Sequence, residues 1–279
     1  MLDGRRLLLV HAHPDDETIT TGGTIARYRA DGAEVFLVTC TLGEEGEIIP
    51  PELDQLGGWA ADQLGGYRSG ELATVCALLG VSEHRYLGGI GRWRDSGMVG
   101  TGSAEHPRAF VRGDLEKQTA QLAELIDELK PQVVVSYDAF GGYGHPDHIR
   151  AHEITMAAAP QARSVVRLFH TIAPESAVRG GLDELRAAHA GIPFRVPAPG
   201  ELPTVPDSRV TTTIDIGAQR ERKFAALRAH ATQISVSAGP PACFALSNGI
   251  AQPQPDAEYF ELVHGPVAGC ERDLFGGIS

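Results

Sequence analysis

The chain has 279 residues, of which 42% are hydrophobic and 22% are charged, and its formal net charge is −12. This length and composition suit one large globular domain with a substantial core. The negative charge argues against nucleic acid or an anionic membrane surface as the main partner, because like charges repel at long range. We therefore expect a small-molecule partner, with no nucleic acid and no membrane.

The cysteines and the N-terminal residues indicate the cellular compartment in which the protein is found. Arg5 and Arg6 precede only a short apolar run, and no stretch approaches the roughly 18 apolar residues of a membrane helix, so we predict neither a signal peptide nor a membrane anchor. The cysteines form no CxxC pair and are typical of buried free thiols. They are Cys40, Cys76, Cys243 and Cys270. Together these features predict a cytoplasmic protein.

Apolar runs alternate with helical patterns through the first half of the chain. Apolar runs predict buried strands at residues 7–10, 34–40 and 133–137, and a further candidate strand surrounds residues 85–87, after a predicted helix. Helical spacing predicts helices at residues 18–30, 70–79 and 114–130. This alternation is typical of an α/β fold, here a Rossmann-like, mostly parallel sheet flanked by helices.

The C-terminal third is less regular. Residues 193–206 are rich in proline and are expected to cross the surface, residues 209–216 alternate like a strand, and residues 220–231 suit a helix. We predict a single domain over residues 1–279. It consists of a Rossmann-like core, residues 1–170, and a smaller C-terminal part, residues 171–279, that completes the sheet and the site.

Two polar clusters follow predicted strands. The first is HAHPDDE, residues 11–17, and the second is YGHPDH, residues 143–148. Alone, the first cluster has a structural explanation, because Pro14 suits a first helical turn and Asp15 or Asp16 is a natural N-cap. However, ligands of parallel sheets bind beyond the carboxyl ends of the strands, where both clusters lie. Two such clusters at one rim therefore favour a functional site.

The residue types in these clusters are those of a catalytic metal site. Two neutral imidazoles and one carboxylate hold zinc while leaving a coordination position for water. The predicted ligands of one Zn(II) per chain are His13, Asp16 and His148. Asp15 is then free to take a proton from a water molecule. Fe(II) accepts the same kind of ligand set, so the sequence leaves the metal open.

Three other histidines are alternative ligands. His11 competes with His13 because alternate strand residues point the same way, but the turn at Pro14 brings His13 nearer to the aspartates. We therefore expect a core role for His11. We interpret His145 as an unliganded catalytic partner and His152 as an ordinary helix residue.

The two motifs, AHPDDE at residues 12–17 and HPDH at residues 145–148, resemble the signature of the LmbE/PIG-L family of metal-dependent sugar N-deacetylases. The resemblance is closest to members that remove acetate from N-acetylglucosaminyl-inositol in mycothiol biosynthesis, and it implies that activity here. Further similar stretches are residues 39–47, 61–68, 86–89, 91–98 and 141–145, and, more weakly, 223–233 and 258–263.

This resemblance implies roles for further residues. His145 would stabilise the oxyanion or protonate the leaving amine, and Tyr143 would help to polarise the amide carbonyl. Asp147 would orient His145 and tune it electrostatically. Arg68 and Asp95 would hold sugar and inositol hydroxyls, although from the residues alone Arg68 is a plain helix-start residue and Asp95 belongs to a solvated loop.

Three rival functions are compatible with the same motifs. A related branch of the family cleaves the bulkier amide of mycothiol S-conjugates, and its members carry a lysine at the position of Thr20, which favours the deacetylase interpretation. Other members act on other N-acetylated sugars. A non-catalytic, metal-stabilised sugar-binding protein would need neither Asp15 nor His145.

Overall fold

The computed structural model describes residues 4–188 and 191–278. Its strands are β1 (Arg6–His11), β2 (Glu34–Thr39), β3 (Glu83–Tyr86), β4 (Val133–Tyr137), β5 (Arg167–Ile172), β6 (Thr212–Asp215), β7 (Ser235–Ser237), β8 (Cys243–Ala245), β9 (Gln252–Pro253) and β10 (Ala257–His264). Its helices are α1 (Asp16–Ala30), α2 (Leu64–Leu79), α3 (Leu115–Leu129), the short turn α4 (Gly141–Gly144), α5 (Pro146–Ala158), α6 (Glu175–Ala187) and α7 (Arg220–Ala229).

Seven of these strands form one sheet in the order β3-β2-β1-β4-β5-β10-β6. The first five are parallel, and β10 is antiparallel to both β5 and β6. The predicted mostly parallel sheet is therefore confirmed. Strand order runs one way from β1 and the other way from β4, so the switch point, where such sheets bind ligands, lies between these two neighbours.

Helices cover both faces of the sheet, as the apolar strands require. Alternate residues of β1 show this division, because Leu7 and Leu9 belong to one buried cluster and Leu8 and Val10 to the other. The first cluster includes apolar side chains of α1, α2 and α7, and the second includes those of α3 and α5. Pairing on both sides fixes β1 at the centre of the fold.

The C-terminal part contributes to the main sheet through β6 and β10, and β7, β8 and β9 form a second, antiparallel sheet. The predicted strand at residues 209–216 and the predicted helix at residues 220–231 are present in shortened form as β6 and α7. Residues 193–206 contain no helix or strand and lie mostly at the surface, as expected. Among the described residues, no helix has the length and apolar character needed to span a bilayer.

Candidate metal centre and active site

The two polar clusters meet at the switch point of the sheet. The first follows β1 and runs into α1, which begins at Asp16. The second follows β4 and runs into α5, where His145 is the N-cap and Pro146 occupies the first turn. Because β1 and β4 are parallel neighbours, residues more than 130 positions apart become adjacent.

The three predicted metal ligands form an equilateral arrangement. His13 Nδ1, Asp16 Oδ2 and His148 Nε2 are each 3.3 Å from the other two. Ligand atoms about 2.0 Å from a tetrahedral zinc lie about 3.3 Å from one another. The three side chains therefore have the spacing that a small divalent cation requires.

Hydrogen bonds on the far side of each ring fit metal binding as well. His148 Nδ1 lies 3.0 Å from the carbonyl oxygen of Gly141, to which it can donate, so its Nε2 lone pair is free. His13 Nε2 lies 3.2 Å from Asp147 Oδ2, which leaves the Nδ1 lone pair free in the same way. Partners of this kind fix the tautomer of metal-binding histidines.

Negative charge is concentrated around His13. Burial alone would lower the pKa of His13, but the carboxylates of Asp95, Asp147 and Asp16 outweigh burial and raise that pKa well above its usual value. Asp95 and Asp147 lie at Nε2 of the ring, on the side away from the ligand triangle, and Asp16 lies at Nδ1. The surrounding negative charge therefore favours a positive charge at this position, either on the ring or as a cation bound between His13 and Asp16.

The alternative histidines occupy different positions. Nitrogen atoms of His13, His145 and His148 lie within 4.8 Å of one another, so His145 is close enough to be considered a ligand. We favour Asp16 because its oxygen is 3.3 Å from both other ligand atoms and because a carboxylate neutralises cation charge. His11 instead contacts Thr21 of α1 at 3.2 Å, and His152 contacts the carbonyl oxygen of Tyr137 at 3.0 Å.

Asp15 lies beside this cluster in an unusual conformation. Its φ angle is +114°, a region that residues other than glycine rarely adopt and that costs about 1–3 kcal/mol. Its carboxylate accepts a hydrogen bond of 3.1 Å from Arg68. Burial raises the pKa of Asp15 to about 6, and the positive charge of Arg68 opposes this rise. A carboxyl group poised near neutrality is suited to general base catalysis.

Arg68 is almost completely buried, and its guanidinium donates hydrogen bonds to neighbouring groups of the protein. Besides Asp15, its guanidinium donates to the carbonyl oxygens of Pro14 and Gly43. It also borders the cavity described below. The structure thus places the Arg68 guanidinium against the carboxylate of the predicted base, a contact that no sequence pattern indicated.

His145 lies at the start of α5 and faces the three predicted metal ligands. Its Nδ1 accepts a hydrogen bond of 3.2 Å from the backbone N–H of Asp147, so the proton of the neutral ring is on Nε2. Burial, followed by the nearness of His13 and His148, lowers the pKa of His145 to about 3. The ring is therefore a neutral donor near pH 7. Tyr143, with its side chain 47% exposed, lies at the rim with its ring edge against His148.

Asp147 contacts His145 through its main chain and His13 through its carboxylate, so its predicted role of orienting His145 stays a prediction. Asp147 Oδ2 lies 3.2 Å from His13 Nε2 and accepts a 2.9 Å hydrogen bond from the backbone N–H of Ser96, and only the main chain of Asp147 reaches His145. Asp95 is also buried rather than solvated, with its Oδ1 3.4 Å from His13 Nε2 and 3.9 Å from His145 Nε2.

Sequence patterns indicated no role for three residues that lie buried at the site, namely Tyr137, Glu17 and His230. The Tyr137 hydroxyl donates to Asp16 Oδ2 at 2.7 Å, and its ring stacks on His148 at a centroid distance of 4.2 Å. Glu17 accepts from the backbone N–H of Asp15 and contacts His230 at 2.8 Å. Tyr137 could have been found because it ends β4 at the same rim, whereas His230 carries no motif that marks it.

The cluster opens into a cavity of about 930 Å³. One wall is polar and comes from the core, and the other comes from the C-terminal part, including Leu202, Phe244, Gln254 and Tyr259. A cavity of this volume accommodates a ligand of disaccharide size or larger.

The fold and site define the chain as an α/β protein in which two histidines and an aspartate converge at the switch point beside a second buried aspartate, Asp15. Comparison with known proteins narrows this class. Residues 8–159 match the PIG-L family, described as GlcNAc-PI de-N-acetylase, and the chain belongs to this family.

Full-length relatives are highly similar. A relative from Saccharomonospora viridis is 63% identical, covering 98% of this chain and 100% of its own length. One from Actinosynnema mirum is 61% identical, covering 98% of this chain and 97% of its own length. Both are named 1D-myo-inositol 2-acetamido-2-deoxy-alpha-D-glucopyranoside deacetylase. Among solved structures, the N,N'-diacetylchitobiose deacetylase of Pyrococcus horikoshii shares the fold, with a TM-score of 0.52, 20% identity, and coverage of 82% of this chain and 71% of that one.

Proposed function

We propose that this chain is a metal-dependent hydrolase that removes acetate from 1D-myo-inositol 2-acetamido-2-deoxy-α-D-glucopyranoside and leaves the free amine, a step of mycothiol biosynthesis. The observation that carries the chemistry is the 3.3 Å triangle of His13, Asp16 and His148 with Asp15 beside it. The name shared by full-length relatives at 61–63% identity supports the substrate.

His13, Asp16 and His148 would hold one divalent metal, which we propose to be Zn(II), with Fe(II) as the alternative. When bound, the metal supplies Lewis acidity, which lowers the pKa of water and polarises the acyl oxygen. Tyr137 and Asp147 would keep Asp16 and His13 oriented through the hydrogen bonds described above. A small-molecule substrate and a cytoplasmic location belong to the same proposal.

Asp15 would act as the general base. Its carboxylate is held by Arg68 next to the ligands, where it can accept a proton from the attacking water as the water adds to the acetamide carbon. Arg68 would thereby position the base, in addition to lining the cavity near the sugar. Asp15 would then return the proton towards the departing nitrogen.

His145 would stabilise the oxyanion that forms from the acetamide carbonyl by donating a hydrogen bond to it, while Asp15 supplies the proton to the leaving amine. Its Nε2–H faces the cluster, and the low pKa of the ring keeps it a neutral donor near pH 7. Tyr143 at the rim would supply a second donor to the same carbonyl. Asp95 lines the cavity and would accept hydrogen bonds from sugar or inositol hydroxyls.

Release of acetate and free amine from three substrates tests this function. These are N-acetylglucosaminyl-inositol, free N-acetylglucosamine and a mycothiol S-conjugate, each incubated with metal-loaded protein. We expect the inositol substrate to react with the highest kcat/KM. Preferential cleavage of the conjugate would favour the amidase function, and no release from any of the three would contradict hydrolysis.

A further inference from the structure

Glu17 and His230 form a buried pair next to the proposed base. Both side chains are fully buried, and His230 Nε2 lies 2.8 Å from Glu17 Oε1. The other carboxylate oxygen of Glu17 accepts a 3.0 Å hydrogen bond from the backbone N–H of Asp15. One carboxylate thus joins a histidine of the C-terminal part to the main chain of the proposed base.

The conformation of Asp15 gives this contact its importance. A φ angle of +114° in a residue with a Cβ persists only when surrounding contacts fix it. On one side, Arg68 donates to the carbonyl oxygen of Pro14 and to the Asp15 carboxylate. On the other side, Glu17 holds the Asp15 N–H. These contacts together determine where the Asp15 carboxylate points.

His230 is itself held firmly at the end of α7. The backbone N–H and hydroxyl of Thr232, two residues later, both donate to the carboxylate of Glu71 on α2, at 2.8 and 2.7 Å. The backbone N–H groups of Gln233 and Ile234 donate to the carbonyl oxygen of His230. The histidine therefore approaches Glu17 from a rigid turn.

We propose that Glu17 and His230 are positioning residues that fix the backbone of Asp15 and so aim its carboxylate at the reacting water. This inference rests on the proposed function, in which Asp15 is the base. Neither residue touches substrate or metal in this scheme. Loss of the pair should misplace the base while leaving the ligands His13, Asp16 and His148 in position.

His230→Leu tests the inference, with His230→Gln as its matched variant. Displacement of a catalytic group by about 1 Å costs on the order of 100-fold in rate, so we expect His230→Leu to lower kcat about 10- to 100-fold. Its KM and Zn(II) affinity should stay near wild type. His230→Gln should recover most of kcat, because the Gln amide can donate from the position of Nε2.

A measurement without turnover separates this inference from the proposed function. Amide hydrogen exchange of Asp15, followed by NMR, should be slow in wild type, faster in His230→Leu and slow again in His230→Gln. Unchanged Asp15 exchange in folded His230→Leu would overturn the positioning role, as would a loss of kcat fully accounted for by lost metal. Absence of acetate release from wild type, with the exchange pattern as expected, would instead overturn the proposed function.

Discussion

Asp15 combines a strained backbone, a buried carboxyl group and a charged neighbour next to the proposed metal ligands. The Asp15→Asn variant keeps the shape of the side chain and removes the base. We expect kcat to fall about 10²- to 10⁴-fold, which is the usual contribution of a general base, while bound metal is retained. Acetate release and metal analysis measure both quantities. Asp31→Asn, an exposed change just after the same helix, is the control. An unchanged kcat in Asp15→Asn would contradict the role of Asp15 as the base.

His145 is predicted to act on the transition state rather than on substrate binding. His145→Ala should lower kcat about 10²- to 10³-fold, the cost of removing one oxyanion donor, with little change in KM. Steady-state kinetics of acetate release decide this, with the exposed His264→Ala as the control. An intact kcat with a raised KM would show instead that His145 serves substrate binding.

Asp147 holds the proposed metal ligand His13, since its carboxylate contacts that ring and not His145. Asp147→Asn should weaken Zn(II) binding about 10- to 100-fold, as changes to such partners typically do, and should leave the kcat of the metal-saturated enzyme nearly unchanged. Competition with a chelator of known affinity measures the binding. Normal Zn(II) affinity with a reduced kcat would instead support the role that the family resemblance implied for Asp147, which is to act through His145.

At the scale of elements, a buried ion pair at the wall of the cavity joins α1, α7 and β10. Lys223 of α7 donates to Glu258 of β10 at 2.7 Å and to the carbonyl oxygen of Ile19 in α1 at 2.9 Å. Glu258 also accepts from the backbone N–H groups of Gly23 and Thr24 in α1. This pair ties the C-terminal part to the helix that begins with Asp16, the proposed metal ligand.

Lys223→Met should therefore destabilise the protein by about 3 kcal/mol, because it leaves the buried carboxylate of Glu258 without its cation. The double variant Lys223→Met/Glu258→Gln should lose less, since no uncompensated charge remains. Urea unfolding measures both. Asp256→Asn, which breaks a surface pair with Arg220, is the control and should change stability by less than about 1 kcal/mol. Equal losses in the single and double variants would contradict this explanation.

At the scale of the whole molecule, two histidines that are buried or half-buried predict that acid destabilises the fold. Burial lowers the pKa of both His84 and His170 to about 4. In the unfolded chain these groups titrate near their ordinary value of 6.5, so below that pH the unfolded state binds more protons than the folded state. The stability from these neutral rings is complete above pH 6.5 and is lost as the pH falls towards 4.

His84→Gln keeps a polar side chain near Thr39 but removes the titrating group. The free energy of unfolding, measured by urea denaturation from pH 7 to pH 4, should fall less steeply in this variant than in wild type. The exposed His264→Gln should follow the wild-type curve. Parallel curves for wild type and His84→Gln would show that His84 is not protonated differently in the two states.

The sequence predicted the parts of the molecule that depend on local pattern. Apolar runs predicted β1, β2 and β4 within one residue of their bounds, because strands buried on both faces need apolar residues throughout. The strand β3, which is half-buried and mostly polar, was predicted within two residues from its place after a helix. The small strands β7, β8 and β9 were missed, since two or three residues carry no periodic signal. Division of the chain into a core and a C-terminal part remains a prediction.

In the site, too, only the residues that belong to a local sequence pattern could be predicted. His13, Asp16 and His148 could be paired in advance because each lies in a motif at the end of a strand, and adjacent parallel strands bring such ends together. The contacts of Asp147 with His13 and of His230 with Glu17 depend on tertiary packing across more than 130 residues, which no local pattern encodes.

Metal titration tests the central proposal most directly. Protein stripped by a chelator should have lost acetate release from N-acetylglucosaminyl-inositol. Activity should rise on addition of Zn(II), or of Fe(II) without oxygen, and level off at one metal per chain, while Asp16→Ala should fail to recover under the same conditions. Full activity in stripped, metal-free protein would contradict the metal-dependent mechanism, as would normal recovery of Asp16→Ala.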